Sequence, residues 1–321
     1  MNTLKLFSIL SLVALGGLSA GAGGLFPVVV DGHWGYANQS GKLLANPQFD
    51  RAEAFAENMG AIELDHRWGF VDDSGKISIN PQFDKATTFS DGLASVQFGH
   101  AWGFVNRDGK YVVNPQFDEA GDFSEGFAAV KLSKRWGFID KSGRYTINLQ
   151  FNDAGIFSGG LAAVAIGKTY GFVDPAGKIA INPQFDEVKP FSEGLAAVKL
   201  EKRWGFIDKA GKIVINPQFE DVGGFVKGLA PARMAKRWGY IDATGHFVVN
   251  PQFDDAKSFN EGFARVQLAK RWGFVDKTGL FAINPQFDEA QDFHSGLAQV
   301  KLGRQFGYID TAGKYVWNLA K

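Results

Sequence analysis

The chain contains no cysteine among its 321 residues and only five histidines. Disulfide bridges, thiolate nucleophiles and cysteine-based metal sites are therefore excluded, and packing must hold the fold together. No His-x-x-x-His spacing occurs, so we expect no metal ion. Neither a Gly-x-Ser-x-Gly segment nor a phosphate-binding loop opening a helix is present. We therefore expect no cofactor and no enzymatic activity.

An excess of either charge is also missing, because 34 Lys and Arg residues balance 34 Asp and Glu residues. A dedicated nucleic-acid-binding protein carries a basic excess that neutralises phosphates. The composition therefore predicts that nucleic acid is not a partner.

Long apolar runs are absent except near the amino terminus. Lys5 precedes an apolar stretch at residues 6–15, and Ala20-Gly21-Ala22 fits a small-x-small cleavage site. We interpret residues 1–22 as a signal peptide cleaved after Ala20 or Ala22, with an uncleaved anchor as the alternative. The mature chain, residues 23–321, is then a single domain that is secreted or periplasmic.

Aromatic-Gly pairs, by contrast, recur with a fixed period of 34 residues. Such self-similarity is the signature of a tandem repeat array, here of nine copies, with no insertion between them. We expect the aromatic residue of each pair to have a structural role. The nine positions are Trp34, Trp68, Trp102, Trp136, Tyr170, Trp204, Trp238, Trp272 and Phe306.

Each repeat is predicted to be a three-stranded antiparallel meander. In the copy that contains Trp204, the strands fall at residues 195–200, 204–207 and 212–215. Asp208 and Gly211 suit a tight hairpin loop, and Pro217 is expected to end the strand pairing. Gly205 is expected to let a neighbouring ring or backbone approach closely, and a Trp or Phe ring of the adjacent repeat is the preferred candidate. The density of Gly and Pro excludes a pair of helices.

One repeat is too small to bury its own sheet, so neighbouring repeats must stack. We predict an open solenoid or superhelix, with Trp317 covering its last repeat. A closed propeller-like ring is the alternative. It is disfavoured because propeller blades usually have four strands and about 40 or more residues.

The motif K-R-W-G-F-I-D-K-x-G-K resembles the bacterial WG-repeat (KWG-repeat) family over residues 26–321. Tyr170, Phe306 and Leu149 depart locally from the motif while conserving bulk. The resemblance implies an all-β repeat protein, often exported, with no generally assigned enzymatic activity. It supplies no functional residues.

Two acidic columns and one basic column repeat with the same period. Asp208 and its equivalents are interpreted as turn caps, since each turn brings too few oxygens for Ca²⁺. The second acidic column, which includes Asp84 and Asp254, is expected to pair with the arginines that precede Trp, such as Arg67 and Arg237. The alternative for these arginines is a bound anion.

A row of small or polar residues on the first strand of each repeat is the predicted binding surface. It is either an ordinary solvated sheet face or an extended binding strip, the usual ligand surface of a solenoid. The candidate binding residues are Lys131, Lys199, Arg233, Arg265, Gln267 and Lys301. Repeats six and seven, with Pro231 and Arg265, depart most from the consensus.

The leading functional prediction is an exported, non-catalytic binding or scaffolding protein that recognises a protein or a cell-envelope polysaccharide. Many weak contacts along the array would add to the affinity. The alternatives are a structural spacer without a ligand and, less favoured, a hydrolase of envelope glycans, for which no carboxylate pair stands out.

Overall fold

A computed structural model describes residues 24–320. The predicted signal peptide lies outside the described residues. Within residues 24–320 the chain forms nine antiparallel sheets, one for each repeat, arranged as the blades of a closed propeller. We number these blades 1 to 9 in chain order. In the same part of the chain we find no helix with the length and apolarity needed to span a membrane.

Each blade from 2 to 9 consists of four strands, which we call the short, a, b and c strands in chain order. Blade 1 has only the a, b and c strands among residues 24–320. The short strands are Arg51–Ala52 (β4), Lys85–Ala86 (β8), Glu119–Ala120 (β12), Asp153–Ser158 (β16), Glu187–Val188 (β20), Asp221–Val222 (β24), Asp255–Ala256 (β28) and Glu289–Ala290 (β32).

The a and b strands form the centre of each blade. The a strands are Phe26–Val30 (β1), Met59–Leu64 (β5), Ala94–Phe98 (β9), Phe127–Leu132 (β13), Leu161–Ile166 (β17), Leu195–Leu200 (β21), Ala230–Met234 (β25), Ala264–Leu268 (β29) and Leu297–Leu302 (β33). The b strands are His33–Ala37 (β2), Arg67–Asp72 (β6), Ala101–Val105 (β10), Arg135–Asp140 (β14), Thr169–Val173 (β18), Arg203–Asp208 (β22), Arg237–Ile241 (β26), Arg271–Val275 (β30) and Gln305–Asp310 (β34).

The c strands complete the predicted meander. They are Leu43–Phe49 (β3), Ile77–Phe83 (β7), Tyr111–Phe117 (β11), Tyr145–Phe151 (β15), Ile179–Phe185 (β19), Ile213–Phe219 (β23), Phe247–Phe253 (β27), Phe281–Phe287 (β31) and Tyr315–Ala320 (β35). The three predicted strands per repeat are therefore confirmed. An additional short strand, which the sequence did not predict, lies in the segment between each c strand and the next a strand, which we call the connector.

The c strand does not end at Asn-Pro, which corrects the sequence-based prediction. In blade 6, Trp204 pairs with Phe219 and Phe206 pairs with Ile215, so only Gly205 lies opposite the intervening residues 216–218. These residues bulge out of the ladder, and Pro217 therefore leaves no hydrogen bond unmade. Pairing resumes at Phe219.

The bulge also explains the glycine that follows Trp, and it replaces our expectation of a ring from the adjacent repeat. A Cβ atom on Gly205 would lie 2.4 Å from the carbonyl oxygen of Ile215 and 2.7 Å from the nitrogen of Pro217. Both atoms belong to the c strand of the same blade. Because they are backbone atoms, they cannot move aside cheaply, and only glycine fits.

The hydrophobic core lies between blades. Phe70 of blade 2 packs edge-to-face on Phe89 of blade 3, with ring centroids 4.9 Å apart. The equivalent contact recurs at seven other boundaries: Tyr36–Phe55, Phe104–Phe123, Phe138–Phe157, Phe172–Phe191, Phe206–Phe225, Tyr240–Phe259 and Phe274–Phe293. The prediction that repeats stack on their neighbours is confirmed.

Blade 9 packs on blade 1, so the array is a ring and the predicted open solenoid is wrong. Gln39 of blade 1 donates from Nε2 to the carbonyl of Ser295 in blade 9, at 2.9 Å. This contact joins the same repeat positions as the Arg107–Glu57 pair between blades 3 and 2. Blade size misled the prediction, because the short strand completes a four-stranded blade without lengthening the repeat.

The boundary between blades 9 and 1 takes its phenylalanine from a different segment than the internal boundaries do. In blades 2 to 9 the connector supplies the phenylalanine, and the a strand leaves room for it with Gly60 or an alanine; a Cβ on Gly60 would lie 2.5 Å from the Phe55 ring. Blade 1 instead has Phe26 at this a-strand position. Phe26 packs edge-to-face on Tyr308 of blade 9 at 5.4 Å, and the Tyr308 hydroxyl donates to the Pro27 carbonyl at 2.8 Å.

Trp317 belongs to the same boundary, and it does not cover a free end as we predicted. It packs with Val316 against a buried cluster from both terminal blades that includes Phe26, Val28 and Leu297. Its position equals that of the branched residues, such as Ile283, on which the next blade's hairpin glycine rests. The ends of the chain therefore form a boundary of the same kind as the internal ones.

We predict that Gly171→Ala lowers the free energy of unfolding by about 1–3 kcal/mol, the usual cost of overpacking. Its Cβ would lie 2.4 Å from the Ile181 carbonyl oxygen. The matched control in blade 5 is Gly155→Ala, whose Cβ would meet the Ala163 side chain at an ordinary 3.6 Å. Urea denaturation measures both. Equal denaturation midpoints for the two variants would contradict the bulge explanation.

We also predict that Phe26→Ala destabilises the protein by about 3–5 kcal/mol and opens the ring, because it leaves a cavity at the closing boundary. Small-angle X-ray scattering should then show a larger radius of gyration. Phe281→Ala, which truncates a ring that is 37% exposed, is the control and should leave the radius unchanged. A Phe26→Ala variant as compact and stable as this control would refute closure through Phe26.

Candidate binding surface

The antiparallel topology gives the ring two different rims. One rim carries the a–b hairpins, at residues 65–66 and their equivalents, together with the links from each c strand to the next blade. We call it the a–b rim. The opposite rim, the b–c rim, carries the b–c hairpins at residues 73–75 and their equivalents, and the turns between the short and a strands.

Three predicted binding residues lie one position below the a–b rim, inside their own blades. Lys131 is in register with Glu119 on one side and Trp136 on the other. Its Nζ lies 2.5 Å from the Glu119 carboxylate and 5.6 Å from the Trp136 ring centroid. Lys199 and Lys301 make the equivalent contacts, with ion pairs of 2.6 Å and 2.5 Å. These cations are half-buried and already paired.

The other three predicted residues do not extend this row into a strip. Arg265 reaches blade 9, where Nε lies 2.7 Å from the Asp292 carboxylate, and its guanidinium stacks 5.5 Å from the Trp272 centroid. Arg233 lies 3.5 Å from Glu220. Gln267 is half-buried, in register with Trp272. As ligand contacts, the six residues stay a prediction.

The row of small residues beside them is not a solvated face. Ser95, Ala129, Ala163 and Ala197 are each 1–9% exposed, because the neighbouring blade covers them. Closing the ring sandwiches both faces of every blade except at its edges. The strip predicted for an open array is therefore interrupted by buried residues. The exposed charged side chains lie mainly on the two rims.

The structural role expected for the aromatic column stays a prediction; among its nine members only Trp204 is fully buried, at 5% exposure. The other tryptophans pack half-buried at the edges of the inter-blade clusters. Blade 5 shows why Tyr170 is tolerated. Ala165 stands there at the repeat position that is Lys131 in blade 4. The small alanine, which pairs with Tyr170 in the ladder, lets the Tyr170 hydroxyl donate to the Asp153 carboxylate at 2.8 Å.

The second acidic column holds the a–b rim together. Asp84 accepts a hydrogen bond of 2.6 Å from the backbone N–H of Gly99 and pairs with Arg67. The expected inter-repeat ion pairs are confirmed for Arg67–Asp84, Arg237–Asp254 and Arg271–Asp288. Asn152 replaces the acid in one repeat, and there Arg135 donates to the Gln150 carbonyl at 3.3 Å. Most carboxylates of this column are thus engaged in holding hairpins or arginines, whereas Asp31, Asp65 and Glu201 are exposed in the hairpins themselves.

The tips of the a–b hairpins carry cations that sequence reasoning missed. In blades 2 to 9 the second loop residue is always basic or histidine: His66, His100, Lys134, Lys168, Lys202, Lys236, Lys270 and Arg304. All eight are exposed. In the described part of the chain, no carboxylate lies within 4.0 Å of them, as the ion pairs there involve other cations.

The backbone conformation at these tips does not require a basic residue. Lys134 and Lys202 have φ values of 68° and 71°, in the left-handed region where type I′ turns prefer glycine. A non-glycine residue there costs roughly 1 kcal/mol. In blades 3, 5 and 9 the turn begins with glycine instead, as at Gly167 with φ of 66°, and the second residue is still basic or histidine.

The b–c rim is built from caps and inter-blade hydrogen bonds. The carboxylate oxygen of Asp208 accepts from the N–H groups of Ala210 and Lys212 at 3.0 and 2.9 Å, which confirms the turn-cap interpretation. Where Ser or Thr follows two residues later, its hydroxyl also donates and lowers the pKa of the capping carboxyl, as for Asp72 and Asp242.

Carboxylates also link the turns of neighbouring blades on this rim. Glu125 of blade 4 accepts from the N–H groups of Gly159 and Gly160 in blade 5 at 2.7 and 2.8 Å. Glu193 and Glu261 hold the next blade in the same way. The acids of the b–c rim are thus engaged in assembling the ring.

Two half-buried carboxyl groups have pKa values raised by burial, Asp122 in blade 4 and Asp292 in blade 9. Arg265 opposes the rise at Asp292. The two groups lie in blades 4 and 9, which are not neighbours in the ring, so they do not form a pair across one scissile bond. Among residues 24–320 no three His, Asp or Glu side chains are grouped as metal ligands.

The repeats that form the blades match a known protein family. A family model described as WG containing repeat matches eight consecutive segments, at residues 34–65, 68–99, 102–135, 136–170, 170–204, 204–237, 238–271 and 272–304. The fold is that of a repeat propeller. The chain belongs to the WG-repeat family, as its motif indicated. No functionally curated protein matches it.

Solved structures share the fold at low identity. The structure titled as that of the eukaryotic initiation factor matches with a TM-score of 0.65 and 11% identity, covering 93% of this chain and 98% of that one. Dihydro-heme d1 dehydrogenase NirN matches with a TM-score of 0.53 and 13% identity, covering 84% and 74%. At these identities the likeness shows the propeller fold alone.

We predict that the pKa of the Tyr170 phenol lies above its usual value and that Asp153→Asn lowers this pKa. Burial, followed by the Asp153 hydrogen bond and charge, raises the pKa of Tyr170 to about 12. Because the folded-state pKa exceeds the unfolded value near 10, the stabilisation is complete below about pH 10 and is lost as pH rises towards 12. In Asp153→Asn the pKa should fall but stay above 10, since burial remains. Tyrosine ¹³Cζ chemical shifts measure both titrations, and an unchanged pKa would contradict the assignment.

Proposed function

We propose that this protein is an exported, non-catalytic scaffold that binds an anionic component of the cell envelope through its a–b rim. A protein and an envelope polysaccharide are the partner classes that the sequence suggested. The proposal depends chiefly on one observation. Eight successive hairpins keep a cation or histidine at the tip, even though the turn geometry changes beneath it.

A spacer without a ligand would not need this constancy. The b–c hairpins provide the comparison, because they are equally exposed and equally repeated. At the position of Asp73 these hairpins follow no rule of charge, but the residue after the hairpin glycine is again basic or histidine in eight blades: Lys42, Lys76, Lys110, Arg144, Lys178, Lys212, His246 and Lys314. Each of these follows an acid or amide cap in its own hairpin, and the Ser74 hydrogen bond, together with the charge of Lys76, lowers the pKa of Asp72. In six of the eight a–b hairpins the loop holds no acid beside the cation, and this difference supports a partner on the a–b rim.

The geometry favours binding over catalysis. The raised-pKa carboxyls, Asp122 and Asp292, lie in separate blades, and the exposed cations repeat around the ring without a focal cleft. Repeated weak contacts with one large anionic partner would add up through multivalency. Export rests on the amino-terminal segment read from the sequence, residues 1–22.

Affinity capture with two matched triple variants tests the proposal. The tip variant is Lys134→Asn/Lys202→Asn/Lys270→Asn, and asparagine tolerates the positive φ of these positions. The control is Lys141→Asn/Lys209→Asn/Lys277→Asn, which removes the same charge from the b–c hairpins of the same three blades. With envelope extract at low salt, the tip variant should retain less than about a tenth of the bound partner, and the control nearly all of it.

Equal capture by the tip variant and the wild-type protein would refute the proposal. Loss of capture in both variants would also refute it, because the effect would then follow net charge and not the rim. Thermal unfolding of both variants checks that neither has lost its fold.

A further inference from the structure

The a strand of blade 1 differs from the other a strands in one respect. Within the described part of the chain it pairs with the b strand only, whereas the a strands of blades 2 to 9 each also pair with a short strand. In blade 7 the short strand places Asp221 in register with Arg233, which in turn is in register with Trp238. Val29 is in register with Trp34 in the same way. We call the side of β1 that corresponds to the short-strand side of blade 7 the free edge.

Blade 7 shows how this side of an a strand holds an extended segment. Glu220, directly before the short strand, donates its backbone N–H to the carbonyl of Arg233 at 2.9 Å. Gly223, directly after the short strand, donates to the carbonyl of Pro231 at 2.8 Å. Pro231 has no N–H group, yet the short strand pairs beside it. A proline at this position of an a strand is therefore compatible with a neighbouring strand.

Blade 1 offers the same carbonyl groups. Val29 and Pro27 occupy the repeat positions of Arg233 and Pro231, and both are partly exposed. The Pro27 carbonyl accepts from the Tyr308 hydroxyl at 2.8 Å, and a carbonyl oxygen has a second lone pair for a further hydrogen bond. The free edge thus keeps two acceptors in the arrangement that holds the short strand in blade 7.

A small hollow lies beside the free edge, between blades 9 and 1. β1 contributes Val28 to its lining, and blade 9 contributes Phe306, Gly307 and Trp317. At the boundary between blades 8 and 9 the short strand contributes an apolar side chain, Ala290, to the cluster that is buried between the blades. The hollow is therefore suited to an apolar side chain from a strand added beside blade 1.

We infer that the free edge of blade 1 binds an extended segment of a partner protein, which adds to the sheet as its short strand. The segment would donate backbone N–H groups to the carbonyls of Val29 and Pro27 and place an apolar side chain in the hollow. Strand addition of this kind draws its affinity from main-chain hydrogen bonds and its specificity from pockets for alternate side chains. The site is separate from the a–b rim, so the inference goes beyond the proposed function.

The residue opposite Val29 sets the chemistry of this segment. In four internal blades an acidic short-strand residue lies opposite a basic residue of the a strand: Glu119–Lys131, Glu187–Lys199, Asp221–Arg233 and Glu289–Lys301. An acid opposite Val29 would have no such counter-charge. The partner segment is therefore uncharged at this position and carries an apolar residue directly after it.

The predicted maturation removes the residues that could take this place from the amino-terminal side. Counting back one period of 34 residues from the short strand Arg51–Ala52 gives residues 17 and 18. Both lie in the predicted signal peptide, and cleavage after Ala20 or Ala22 would remove them. The inference therefore rests on this cleavage, which is the export part of the proposed function, and not on the chemistry of the a–b rim.

Peptide titration of the exported protein tests the inference, once mass spectrometry has located its amino terminus. The probe copies residues 219–224 with Asp221→Val, and it is acetylated and amidated at its ends. It keeps the N–H donors of Glu220 and Gly223 and is uncharged at the substituted position. Two-dimensional ¹H–¹⁵N NMR should show saturable shifts for the amides of β1 and for the Trp317 indole.

Two matched comparisons show whether the binding is strand addition. A control peptide that also carries Glu220→Pro and Gly223→Pro lacks both donors and should bind at least about tenfold more weakly. In the protein, Val29→Pro puts a ring on the free edge without removing a hydrogen bond to the b strand, and it should weaken binding by a similar factor. Val29→Ala keeps the free edge and should bind the probe like the wild type. Thermal unfolding checks that both variants retain the fold.

The inference is overturned if the exported protein does not bind the probe, if both peptides bind equally, or if Val29→Pro binds as well as Val29→Ala. An exported protein that retains residues 17 and 18 would also overturn it. If Val29→Pro unfolds, the two peptides still decide the question. The tip triple variant should bind the probe like the wild type, so its envelope capture tests the a–b rim alone.

Discussion

Burial between blades is the constraint on which the rest of the structure depends. A four-stranded sheet built from one repeat has two faces and too few apolar residues to cover either one. Each face therefore needs a neighbour, and the edge-to-face contact between Phe70 and Phe89 is repeated at every internal boundary. A ring meets this requirement for all blades at once, whereas an open array leaves two faces uncovered.

The terminal blades show how a repetitive sequence can close on itself without a strand shared between its ends. The connector phenylalanine has no counterpart in the described part of blade 1, and Phe26 supplies a ring from the a strand instead. Tyr308 adds a hydrogen bond to Pro27 that the phenylalanines at most equivalent positions cannot make. Phe26 and Tyr308 thus give the terminal boundary the same kind of aromatic contact that joins the internal blades.

Sequence reasoning reached the strands, the turn caps and the family because these depend on local chemistry that each repeat states by itself. Asp208 and Gly211 define their hairpin without reference to the rest of the chain. It missed the ring because the short strand, which completes a four-stranded blade, was not predicted from the sequence. It also placed the binding strip beside Ala197 and Lys199, where alternation indicated an exposed face. The adjacent blade covers that face, so the error lies in how the blades pack and not in the strand assignment.

The hairpin tips were readable from the sequence, yet their meaning depended on the structure. Lys202 lies in a polar loop, where a lysine by itself signifies only solubility. Lys202 has a left-handed φ, which glycine would adopt at lower cost. In blade 5 the turn begins with Gly167, and Lys168 is still basic although its own φ is not left-handed. A side chain kept across two backbone solutions is not explained by the turn itself, and we infer that it serves contacts outside the fold. The ring repeats this side chain in eight blades, as a surface for an extended partner would require.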